Sequence, residues 1–204
     1  MEANKQKILM FALPLLVLLA FLILSPSLGS KNVNRAFALS AVVVLGATFI
    51  LGPLGKFSST ANRLKIYRKY LGIAGVFLAV VHGLLSFSLF YGLDIGNLLS
   101  LDNPLLLQAY SAVIASLIFL LMTATSNTAA IRLLGPRRWK LVQNSGYLAM
   151  ALVMLHFMLA NTDNEVFRIG RIYALLAFTF GIIVIVVRAL VLLLVAYEKS
   201  SKSK

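Results

Sequence analysis

The chain has 204 residues, 60% of them hydrophobic and only 12% charged, with a mean hydropathy of +0.93. That is too apolar for a soluble domain, whose charged fraction is about twice as large. It reads as an integral membrane protein lying almost wholly in lipid, with no room for a separate soluble domain. Cysteine is absent, which excludes disulfides, thiolate catalysis, thioether haem attachment and iron–sulfur ligation. The net charge of +13 reflects orientation in the bilayer and contact with anionic membrane lipid, not nucleic-acid binding.

Several stretches reach the roughly 20 apolar residues that cross a bilayer core. The first, Ile8–Ser25, follows Lys5 and Lys7 in the manner of a signal peptide. Its apolar run is longer than an ordinary signal sequence carries, and no small-residue cleavage site follows, so the expectation is a retained span. Pro26–Ser30 makes the turn. The second span, Ala36–Leu54, ends in the breakers Gly52, Pro53 and Gly55 and gives way to a stretch bearing Lys56, Arg63, Lys65, Arg68 and Lys69. The third, Tyr70–Tyr91, contains His82 and leaves into GLDIGNLLSLDNP, which has two acids and no base. The fourth, Leu105–Thr125, is followed by a basic loop with Arg132, Arg137, Arg138 and Lys140. The fifth, about residues 141–160 within WKLVQNSGYLAMALVMLHFMLAN, contains His156 and exits towards Asp163 and Glu165. The sixth, Ile172–Tyr197, carries Arg188 and ends in the tail EKSSKSK.

The basic residues assign the sides. Fourteen of the 19 Lys and Arg fall before the first span, in the second and fourth loops and in the tail, whereas Lys31, Arg35, Arg168 and Arg171 fall on the other side. In short loops the richer side is cytoplasmic. The expected architecture is an all-α membrane protein, a six-transmembrane-helix bundle with N and C termini cytoplasmic, in the cell (inner) membrane.

His82 and His156 are the only two histidines. Ionisable groups at such depth are costly and are usually paired or functional. Spans three and five run in the same direction. By helix rise His82 stands roughly 18 Å above Tyr70, and His156 roughly 22 Å above Leu141, so both fall in the outer half of the bilayer. Two imidazoles at equal depth on neighbouring helices can bind one iron from opposite faces, leaving no open coordination site and suiting electron transfer. Gly72, Gly75, Ala79, His82 and Ser86 form one helical stripe whose small residues would let a flat macrocycle approach the backbone. On span five, Ala149 and Leu152 share the face of His156. The plainer alternatives are a histidine that hydrogen-bonds across a helix interface, and a small-residue stripe that serves helix packing. Arg188 snorkels, pairs with a helix terminus or meets a cofactor's anionic group. The six acids all lie outside the spans, which counts against a cation-coupled transporter.

RKYLGIAGVFLAVVHGLLSF and TSNTAAIRLLGPRRWKLVQNSGYLAMALVMLHF resemble the two haem-carrying helices of the ferric reductase-like transmembrane domain family. That superfamily includes NADPH oxidases, ferric reductases and, similar to this chain in size and wording, the haem-binding membrane subunits of bacterial methionine sulfoxide reductase systems. The resemblance covers roughly residues 46–173. It implies one such domain over residues 1–204, with His82 and His156 as axial ligands of a b-type haem. Relatives commonly carry a further histidine thirteen residues before the last, where this chain has Gln143, and Arg68 and Lys69 occupy the matching region of span three. A second bis-histidine haem is therefore excluded by residue count.

The expected function is a transmembrane cytochrome, the electron-transfer (oxidoreductase) subunit of a reductase system. It would carry electrons from a cytoplasmic flavin reductase or other NAD(P)H-dependent donor to an extracytoplasmic acceptor: a partner reductase, ferric iron or oxygen. A quinone-linked cytochrome and a non-redox membrane scaffold are the alternatives. An electron starting at the cytoplasmic surface must cross roughly 18 to 22 Å to reach the outer haem, by the same helix rise. That gap calls for an intermediate carrier in the inner half, a flavin (FMN or FAD). Its phosphate would meet Arg68, Lys69, Arg138, Lys140 and Arg188, and its ring would stack on Trp139 or Tyr70.

Overall fold

A computed structural model describes residues 2–163 and 166–201. Glu165, expected to close the fifth span, and Lys202 and Lys204 of the basic tail lie outside the described residues. Nine helices and one minimal hairpin make up the described chain. They are α1 (Glu2–Ile23), α2 (Ser30–Leu54), α3 (Ser59–Leu64), a single 3-10 turn (Lys65–Tyr67), α4 (Arg68–Tyr91), α5 (Ile95–Leu99), α6 (Leu106–Ala124), α7 (Thr128–Asn144), α8 (Gly146–Ala160) and α9 (Ile172–Ser201). The two-residue strands β1 (Thr162–Asp163) and β2 (Val166–Phe167) pair antiparallel between α8 and α9.

Among the described residues, five helical segments are long and apolar enough to cross a membrane: Ser30–Leu54, Ser59–Tyr91, Leu106–Ala124, Thr128–Ala160 and Ile172–Ser201. The apolar part of α1, Ala12–Ile23, is shorter. The chain is thus an all-helical, multi-pass membrane protein.

The second span is the hub. More than half of its apolar window is buried (56%), against 17% to 28% in the other four. It contributes Leu39 and Val42 to a cluster with Met150, Met154, Phe157, Ala174 and Ala177. Leu45 and Phe49 join Val76, Ala115, Phe119, Ala149 and Val184, while Ala41 and Val44 join Leu71 and Leu78. Helix α2 is built for this position, being Ala- and Val-rich and free of acids. Its buried hydroxyls are satisfied within the helix, Ser40 Oγ donating to the Ala36 carbonyl at 2.7 Å and Thr48 Oγ1 to that of Val44 at 2.9 Å, as hydroxyls in apolar surroundings must be.

Two helix pairs dominate the packing, α2 on α4 and α6 on α8, with α9 closing against α2 and α8. The α2–α4 contact corrects one expectation. The stripe Gly72–Gly75–Ala79–Ser86 does not open room for a macrocycle; it is where α2 lies. A Cβ on Gly75 would meet Leu45 Cγ at 2.8 Å, one on Gly72 would meet Thr48 Cγ2 at 3.5 Å, and Ser86 Oγ accepts from Asn34 Nδ2 at 2.9 Å. Ala149 is likewise fully buried, in the cluster with Leu45 and Phe49.

The basic stretch before span five also departs from expectation. It is not a loop but α7, which is kinked at Gly135 (φ 74°, ψ 155°) ahead of Pro136. The positive φ is one that glycine alone adopts cheaply, and Pro136 suits the start of the new helical run. Ser145 has helical dihedrals (φ −61°, ψ −14°), so α7 runs on into α8.

If α2 seats on α4 through glycine, Gly75→Leu overpacks the interface and costs about 1–3 kcal/mol, whereas Gly72→Ala stays within about 0.5 kcal/mol of wild type. Thermal unfolding in detergent separates the two. Equal melting of both variants would contradict the close approach.

Candidate functional site

Four helices converge on the two histidines. His82 is on α4 and His156 on α8. Their ring centroids are 6.2 Å apart, with ring planes crossed at 72°. Each ring is held through Nδ1 by the helix packed against its own. His82 Nδ1 lies 2.8 Å from Asn34 Oδ1 and 3.1 Å from the Asn34 carbonyl oxygen on α2. His156 Nδ1 lies 3.0 Å from the Gln108 carbonyl oxygen on α6.

These partners decide the tautomers. A carbonyl or amide oxygen only accepts, so in both rings Nδ1 must carry the proton and donate it. Both Nε2 atoms are therefore left with a free lone pair, and among the described residues neither makes a hydrogen bond. Donating the second ring N–H to a carbonyl is the usual way a metal-binding histidine is oriented.

The separation can be tested against a shared metal. A metal–imidazole bond of about 2.0–2.1 Å on each side, with roughly 1.1 Å from nitrogen to ring centre, places two rings on one ion about 6.3 Å apart. The observed 6.2 Å matches. Among the described residues no group of three His, Cys, Asp or Glu could hold a metal ion. Two imidazoles without a third protein donor suit haem, whose macrocycle supplies the remaining four ligands, better than a bare cation. The residues fit the group.

A second feature lies on the basic side. A cavity of about 420 Å³ opens between α2, α4, α6 and α7, within the size range of small-molecule sites. Its walls carry the cations Lys65, Arg68 and Lys69, the aromatic rings of Phe49, Phe119 and Trp139, and Gln143. Its lining is anchored by bonds to backbone carbonyls and one hydroxyl. Arg68 Nε donates to Thr48 O at 3.0 Å, Trp139 Nε1 to Thr125 O at 2.9 Å, and Gln143 Nε2 to Met122 O at 3.1 Å and Thr125 Oγ1 at 3.2 Å. Arg68, Lys69 and Trp139 are thus brought together as the sequence suggested. Arg138, Lys140, Tyr70 and Arg188 are not among the lining residues. Arg188 instead lies over the ring of Tyr147, 4.7 Å from its centroid, and Tyr147 donates its hydroxyl proton to Phe49 O at 3.0 Å.

Asn34, Gln108 and Phe119 were not singled out in the sequence. The available signal was Asn34 itself, an amide near the start of an apolar span. A second signal was numerical: both Nδ1 bonds span 48 residues, and the shift that carries Asn34 to Gln108 also carries His82 to His156, Gly72 to Gly146, Gly75 to Ala149 and Thr48 to Met122.

Comparison with known proteins gives distant relatives. Over 120 residues, 54% of this chain, it is 38% identical to the protein-methionine-sulfoxide reductase heme-binding subunit MsrQ of Polaromonas naphthalenivorans, covering 52% of that protein. Over 135 residues, 65% of this chain, it is 30% identical to the magnetosome protein MamZ of Magnetospirillum gryphiswaldense, covering 20% of that protein. The MamZ of Paramagnetospirillum magneticum matches equally far at 29% identity. The chain thus spans about half or less of the curated relatives it matches. No family model matches it. The matches are distant homology, one of them to a haem-binding subunit.

Proposed function

We propose that the chain is the transmembrane cytochrome of a reductase system in the ferric reductase-like family, carrying electrons through one b-type haem held by His82 and His156. The observation that carries this reading is the pair of imidazoles 6.2 Å apart with both Nε2 lone pairs free. A haem ligated on both faces supplies one-electron redox chemistry without an open site for substrate. The protein's part is orientation: α2 and α6 hold the two rings through Nδ1, so neither ring must give up another bond to ligate.

The direction of flow follows from the charge asymmetry. The cation-rich loops and α7 face the cytoplasm, both termini lie there, six spans cross the inner membrane, and the donor is a flavin reductase or other NAD(P)H-dependent protein. The histidines lie in the outer half, near an extracytoplasmic acceptor: a partner reductase, ferric iron or oxygen. The similarity to a protein whose name makes it a reductase subunit favours the partner reductase.

The cavity on the basic side is the place for an inner carrier, FMN or FAD. Val76, on its wall, is six residues before His82, or about 9 Å of helix rise. A carrier there divides the inner gap into shorter steps. Lys65, Arg68 and Lys69 supply charge for a phosphate, and Trp139 with Phe49 and Phe119 supplies apolar faces for a ring system. The mostly apolar wall also favours a second occupant, a membrane quinone.

Purified protein is expected to show a sharp Soret band, with α and β bands on dithionite reduction, and one haem per chain by pyridine haemochrome. His82→Ala and His156→Ala each abolish the low-spin spectrum while the chain still inserts. Two haems per chain, or normal spectra in both variants, would overturn the assignment.

Haem reduction by a flavin reductase is expected to depend on added FMN or FAD and to slow at least tenfold in Arg68→Ala/Lys69→Ala. Arg138→Ala, away from the cavity wall, should reduce normally. Fast reduction without flavin, indifferent to the double substitution, would replace the flavin by quinone.

A further inference from the structure

The two histidines sit in equivalent places but do not have equivalent partners. On α6, His156 meets only the carbonyl of Gln108, and that oxygen also accepts from Ser111 Oγ at 2.9 Å. On α2, His82 meets the corresponding carbonyl of Asn34 and, closer still, the side-chain oxygen of the same residue. The Asn34 amide is buried, with 4% of the residue exposed. Its orientation is fixed from behind, because Nδ2 donates to Ser86 Oγ, one turn beyond His82 on α4. A buried amide is expensive unless both ends are satisfied; here one end faces a hydroxyl on α4 and the other the imidazole N–H.

We propose that Asn34 is a positioning residue that sets the redox potential of the site through His82, making the two axial ligands electronically unequal. This rests on the haem reading above. A stronger acceptor on Nδ1–H raises the basicity of the ligating nitrogen. A more basic ligand favours ferric over ferrous iron, and second-shell hydrogen bonding is one of the levers on haem potential. Two oxygens facing the His82 Nδ1–H, against one shared carbonyl at His156, concentrate that effect on one ligand. The backbone carbonyl fixes the tautomer on both sides; the amide adds the tuning on the α4 side alone.

Asn34→Ala separates the two roles. The Asn34 carbonyl belongs to the α2 backbone and survives the substitution, so His82 keeps its tautomer and ligates. The amide oxygen is lost. The expected result is haem content and a low-spin absorption spectrum like those of wild type, with the ferrous-to-ferric ratio at fixed applied potential raised about tenfold, a positive midpoint shift of about 59 mV for one electron. Asn34→Asp puts a stronger acceptor at the same atom and is expected to shift the midpoint the other way. Ser86→Ala, which only frees the amide's far end, should shift it in the direction of Asn34→Ala by less.

The measurement is a spectroelectrochemical titration of wild type and the three variants in detergent. An unchanged midpoint in Asn34→Ala, or shifts of the same sign in Asn34→Ala and Asn34→Asp, would overturn the proposal and leave the haem reading intact. Loss of haem from both Asn34 variants while they remain inserted would also overturn it, since Asn34 would then be needed for ligation itself. Wild type without haem would overturn the haem reading, and this proposal with it.

Discussion

The hydrogen bonds at the two Nδ1 atoms are the constraint on which the site depends. An imidazole in an apolar bundle must place one N–H, and it can do so in either of two tautomers. Acceptor-only oxygens on α2 and α6 remove the choice at both rings, so the lone pairs are left on Nε2 of both. Once α4 and α8 are held by the helices packed on them, the two rings are 6.2 Å apart, and neither Nε2 has a hydrogen bond among the described residues. The hub position of α2 follows from the same demand: it must lie close enough to α4 to reach His82, and Gly75 permits that approach.

The bundle repeats this arrangement. The pairs α2–α4 and α6–α8 place a carbonyl, a histidine and a small residue seven positions before the histidine in the same register. At the other end, Thr48 O accepts from Arg68 and the equivalent Met122 O accepts from Gln143. The layer that carries the two histidines is thus nearly symmetric. The opposite layer lacks that symmetry in its side chains and leaves a cavity lined with cations and aromatic rings. Two histidines at one end and a basic cavity at the other are the two features on which the proposed electron path rests.

Much of this was legible from the sequence because hydropathy and lone ionisable groups are strong signals in lipid. Helix α4 begins and ends within two residues of the apolar run expected there, closing at the left-handed Gly92, and α8 ends at Ala160 as expected, whereas its start is displaced because α7 runs on into it. Helical stripes mislead when the partner is unknown. Gly72, Gly75, Ala79 and Ser86 mark an intimate contact, and the sequence cannot say whether a macrocycle or a helix fills it. The plainer reading, helix packing, is the one the structure bears out. Asn34 is less legible, because one amide near the mouth of a span does not reveal its partner. Its meaning appears only when α2 is laid on α4. The basic stretch that folds as α7 is too polar to stand out by hydropathy.

The central claim is that one iron is held between His82 and His156. Low-temperature electron paramagnetic resonance of the oxidised protein tests it most directly, because the spectrum reports the number, field strength and mutual orientation of axial ligands. Imidazole planes crossed at 72° predict a single low-spin ferric species, with the strong anisotropy that near-perpendicular ring planes produce. A high-spin signal from five-coordinate iron, two low-spin species, or protein without iron would contradict it.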